Sequence, residues 1–148
     1  MSTSYVFNQN NFTGVQSHLA TANIPVINDS IHSLVLEGGA STSEGIRQHS
    51  KYPGGALGLS YSLNRKQLSF VSNNYFSSPY YAGLRKGALN FYEFVRYQFT
   101  NNSNIFFLYS GSTNKPKFVA DDSSSFLLYS THCSQSLVLT SLVSSDGD

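Results

Sequence analysis

The stretch Leu57-Gly58-Leu59-Ser60-Tyr61-Ser62-Leu63 decides the fold class. Large side chains at 57, 59, 61 and 63 alternate with Gly or Ser, and in an extended chain successive side chains point to opposite faces. One face of a strand is therefore apolar and the other small and polar. Asn64-Arg65-Lys66 follows as a short turn, and Gln67-Leu68-Ser69-Phe70-Val71-Ser72 has the pattern of the returning strand of a hairpin, closed by Asn73-Asn74.

Working outward, residues 89–99 and 105–110 are dense in aromatics and are joined by Thr100-Asn101-Asn102-Ser103-Asn104, which suits a second hairpin. A helix competes for this region. Leu84, Ala88, Phe91, Val95 and Phe99 fall on one helical face, so an α+β chain with one helix near 84–99 is the alternative. Aromatic and β-branched residues favour the strand, and Gly83 and Gly87 weaken a helix start. The C-terminal third offers strands at 117–120, 126–131 and 136–143, separated by 121–125 and 133–135. On the N-terminal side, 33–36 reads as a strand, 5–7 as an edge strand, 15–22 as a modest helical stretch, and the Gly/Ser/Thr-rich run 37–55 as a long loop. About eight short strands with regular turn signals predict one all-β domain over 1–148: an antiparallel β-sandwich, jelly-roll-like or barrel-like, with loose ends at 1–4 and 144–148.

Composition narrows the class. Apolar residues make up 40% of the 148, with ten Tyr and eleven Phe, which argues against disorder. Only 11% are charged, against roughly 25% in an average domain, so Ser and Asn carry the polar surface. Nothing resembles a signal peptide or a membrane-spanning run, and the lone Cys133 can form no internal disulfide, which favours an intracellular setting or a place in a particle. Three Asn-X-Ser/Thr triplets are what this composition gives by chance.

Catalytic chemistry has no legible foothold. His132 and Cys133 are adjacent and would point to opposite faces of a strand. His18, His32 and His49 stand far apart without carboxylate partners at ligand spacing. Asp121-Asp122 lacks the remaining oxygens of a calcium loop, and Gly38-Gly39 and Gly54-Gly55 lack the rest of a phosphate-binding pattern. The reading is therefore no catalytic residue, no metal and no cofactor.

Two features do suggest binding. All nine cations lie between Arg47 and Lys117 with the single acid Glu93 among them, while the flanks are purely acidic. Such polarity suits head-to-tail association or, with the interleaved tyrosines, single-stranded nucleic acid. Tyr, Ser, Asn and Gly are also the residues of contact surfaces, and they are densest around Tyr75, Phe76, Tyr80 and Tyr81, followed by Arg85 and Lys86. These six residues are the expected interface. The leading expectation is a structural protein that associates with copies of itself or with other proteins; a lectin-like carbohydrate-binding module is the alternative.

Overall fold

The computed structural model describes residues 1–10, 14–46, 49–100, 103–117 and 132–143. The described chain is all-β. Its strands are β1 (Ser2–Asn10), β2 (Val15–Asn28), β3 (His32–Gly45), β4 (Lys51–Arg65), β5 (Leu68–Ser77), β6 (Ala88–Thr100), β7 (Ser103–Asn114) and β8 (His132–Val143). They form one antiparallel sheet in the order of the sequence.

All eight strands share that sheet, so the two-sheet sandwich expected from the turn spacing is not the arrangement of the described residues. Turn spacing alone cannot separate a meander from a sandwich, because both use strands of similar length. The absence of a second layer shows in burial. Among the described residues only Ala56, Tyr81 and Ala88 are buried apolar residues.

The register assigns each strand residue to one of two faces. Face A carries Thr21, Gly39, Ala56 and Ser77 in one row and Asn23, Glu37, Gly58, Tyr75 and Asn90 in the next. Face B carries Leu36 and Leu59 with Phe91, then Leu63, Phe70, Val95 and Phe107. The alternation from Leu57 to Leu63 is this division: Leu57, Leu59, Tyr61 and Leu63 lie on face B, and the Gly and Ser residues between them lie on face A.

Several local expectations are corrected: Asn73-Asn74, expected to close the first hairpin, lie inside β5, and 133–135, expected to separate two strands, lie inside β8. Residues 88–100 are β6, not helix; the helical spacing mixed Ala88 of face A with Phe91 and Val95 of face B, and both neighbouring strands supply a full ladder. Residues 15–22, expected as a helical stretch, lie in β2, where β1 and β3 satisfy the backbone on both sides. The run 37–55, expected as a loop, belongs largely to β3 and β4. Two of its glycines leave room for Tyr81 on face A, Gly39 for the ring and Gly54 for the backbone. Residues 2–4 pair with 21–23, while the strand at 126–131 and the Asp121-Asp122 pair lie outside the described residues.

The β2–β3 connection shows how side-chain chemistry sets a turn. Asp29 Oδ1 accepts the amides of Ile31 (2.8 Å) and His32 (2.6 Å), and the Asp29 amide donates to the His32 carbonyl (2.9 Å). These bonds favour the carboxylate and hold its pKa below the usual value. A lowered pKa in the folded state means that the stabilisation is present above the ordinary carboxylate range and is lost as pH falls through the folded value. Protection of the Ile31 and His32 amides, taken relative to the intrinsic exchange rate at each pH, is expected to fall on acidification, and Asp29→Ala is expected to show low protection there at every pH.

Candidate functional site

The connection between β5 and β6, residues 78–87, folds back over face A. Its anchors are local. The Ser78 amide donates to the Gly55 carbonyl (2.8 Å) and the Gly55 amide to Ser78 Oγ (3.0 Å), while the Ala82 amide donates to Ser41 Oγ (3.0 Å). The chain re-enters the sheet at Gly87, whose φ of 62° suits a residue without a side chain. A β-carbon there would also run into the Lys115 carbonyl.

Ser77, 2% exposed, ties both ends of this loop together: its Oγ donates to the Arg85 carbonyl and accepts the Ala88 amide at 2.9 Å. Ser77→Ala would leave a buried amide without its partner, a cost of about 1–3 kcal/mol. Urea unfolding is expected to show that loss as a lower midpoint with an unchanged slope.

Docking the loop lays Tyr81 on the sheet, 5% exposed. A β-carbon on Gly39 would lie 2.8 Å from Tyr81 Cζ, and one on Gly54 would lie 2.6 Å from Tyr81 Cα. Beside the ring, two adjoining cavities of about 180 and 220 Å³ share Glu37 and Tyr75. The first reaches toward Thr21 and Asn23, the second toward Asn73, Asn90 and Tyr92. Together they make a groove that crosses the strands from β2 to β6, a span of about 19 Å at the usual strand spacing.

The groove's walls are defined by two aromatic contacts. Tyr75 lies over Gly58, where a β-carbon would be 3.2 Å from its ring, and the Arg85 guanidinium sits 5.0 Å from the Tyr75 ring centroid. Burial raises the pKa of both Tyr75 and Tyr81, and the neighbouring Glu37 carboxylate adds to the rise in each. Both phenols are thus neutral donors and acceptors at physiological pH.

Of the six residues expected from the sequence, Tyr75, Tyr81 and Arg85 meet at this groove. Tyr80 is on the same side but in a separate cluster, 5.1 Å from the Tyr52 ring and 5.5 Å from Lys117 Nζ. Phe76 faces the other way, on face B, and is 54% exposed. Lys86 is half-buried, and desolvation lowers its pKa. Glu37, Asn73, Asn90 and Tyr92 were not among those six; each shares a face with Gly58 or Ser60, which is the signal the alternation carried.

Glu93, the one acid in the basic middle of the chain, is on the opposite face. It accepts from Ser72 Oγ and Asn74 Nδ2, both at 2.9 Å. Glu37 and Glu93 therefore cannot act as an acid/base pair. His18 and His32 are engaged separately, with Tyr5 Oη at 2.6 Å and Tyr61 Oη at 2.9 Å. Among the described residues no group of three or more His, Cys, Asp or Glu side chains could hold a metal ion. The cations are divided between the faces, with Lys51 and Arg65 on face B and Arg85 and Arg96 on face A's side.

No protein-family model matches the chain, and neither a curated protein nor a solved structure shows significant similarity to it.

Proposed function

We propose that this chain is a non-catalytic assembly protein whose copies cover the surface that a single sheet leaves bare. The observation that carries the reading is the open apolar face B. Leu57 is 69% exposed and Leu137 65%, and Leu59, Leu89, Phe107 and Tyr109 are exposed with them. Eight strands of roughly 12 residues give a face on the order of 1,000 Å². The whole of that face, polar side chains included, reaches the roughly 800 Å² per partner of a stable interface.

A second copy fits this face better than hydrocarbon does. Glu93 on this face is a carboxylate bonded to Ser72 and Asn74, and its remaining acceptor capacity can be met by donors of a protein partner but not by hydrocarbon. The edges point the same way. β1 and β8 contain no Lys, Arg or Pro, the residues that usually block an edge. With an even number of strands, β8 runs antiparallel to β1, so another copy can continue the sheet without changing its pattern.

The low charge of the chain lowers the desolvation cost of such contacts. Light scattering over a range of protein concentrations is expected to give a mass that is a multiple of 16.3 kDa. A strict monomer at high concentration would overturn the reading.

A further inference from the structure

We infer that the groove across face A binds a neutral carbohydrate, with Glu37, Asn73, Asn90 and Arg85 as its polar contacts and Tyr92 as its stacking platform. This site is on the side of the sheet away from the proposed assembly face and does not depend on it.

The polar groups of the two faces differ in how far they are already committed. On face B, Ser72, Asn74 and Glu93 hydrogen-bond to one another at 2.9 Å. On face A, among the described residues, the Glu37 carboxylate, both Asn amides and the Arg85 guanidinium have no hydrogen-bonded side-chain partner, and they line one groove. Polar groups gathered in a concavity without partners are available to a ligand.

Their chemistry selects the ligand class. Glu37 only accepts hydrogen bonds, Arg85 only donates them, and the Asn side chains do both. A hydroxyl is donor and acceptor at once, so adjacent hydroxyls can satisfy all four. An anion would be opposed by Glu37 and a cation by Arg85, which leaves an uncharged polyol. Tyr92 adds an exposed ring in the same groove, an apolar surface for the C–H face of a sugar. The larger cavity has room for roughly seven waters at ~30 Å³ each. The adjoining cavity beside Asn23 extends the groove beyond one ring, so an oligosaccharide fits it better than a monosaccharide.

Ligand-observed NMR on the full chain tests this, with a panel of neutral mono- and oligosaccharides and with an amino sugar and a sugar acid as charged probes. Saturation transfer to at least one neutral sugar is expected, stronger for the longer chains. Tyr92→Ala and Glu37→Ala, both at partly exposed positions, are expected to weaken binding about tenfold each, while Leu137→Ser on face B leaves it unchanged. Absence of transfer to every neutral sugar, tighter binding of a charged probe, or parent-like affinity in Tyr92→Ala and Glu37→Ala would overturn the assignment. Oligomeric state, read separately by light scattering, decides the assembly reading whichever result is obtained here.

Discussion

Gly39→Ala is expected to lower stability by about 1–3 kcal/mol, and that cost is expected to vanish when Tyr81 is also replaced by alanine. The added methyl meets the tip of the Tyr81 ring, so removing the ring removes the clash. Gly54→Ala is expected to behave differently. Its methyl meets the Tyr81 backbone, at 2.6 Å from Cα and 2.7 Å from N, and truncating the side chain does not relieve it. The loop must lift instead, with loss of the bonds from Ser78 and Ala82. Denaturant unfolding of the two double-mutant cycles checks both statements: strong coupling for Gly39 with Tyr81, little for Gly54. Equal coupling in both cycles would mean that Tyr81 is not seated as described.

The second large effect concerns association. Leu57 and Phe76 face each other across β4 and β5 on face B, and both are well exposed. Replacing them as Leu57→Lys with Phe76→Glu puts opposite charges at a cross-strand pair, which keeps the hairpin stable in a single copy. In an assembly the same pair removes two apolar contacts and introduces charges to desolvate. Loss of about 3–6 kcal/mol of apolar burial per copy corresponds to a dissociation constant about 10² to 10⁴ times larger. Sedimentation velocity is expected to show the variant as a monomer under conditions where the parent chain associates. An unchanged thermal midpoint at low concentration would confirm that the fold itself is intact.

How much of this was legible in the sequence follows from the range of each interaction. The alternation from Leu57 to Leu63 could be read because one strand carries its whole signal, whereas the turn expected at 64–66 falls at 66–67, and Thr100, Ser103 and Asn104, expected in a loop, are strand residues. The 88–100 segment was ambiguous because Phe91 and Val95 of face B fall at helical spacing with Ala88 of face A. The 37–55 run was misread for a different reason. Gly39 and Gly54 are small because Tyr81, far along the chain, lies on them, and no local window contains that information. The same holds for the groove. Tyr75, Tyr81 and Arg85 stand close in sequence and could be picked out together, whereas Glu37, Asn73, Asn90 and Tyr92 converge only through the register of four strands.

The structure also changes what salt should do to association. The charge polarity of the chain predicts contacts that weaken with salt. Arg65 and Arg85 belong to opposite sides of the sheet, and the broad uncovered surface is apolar, so its contacts should persist as ionic strength rises.

The most direct measurement is therefore the mass of the full chain by light scattering, across protein concentration and at low and high salt. The expected mass is a multiple of 16.3 kDa that grows or holds with concentration and survives high salt. A mass of one chain at every concentration would contradict it.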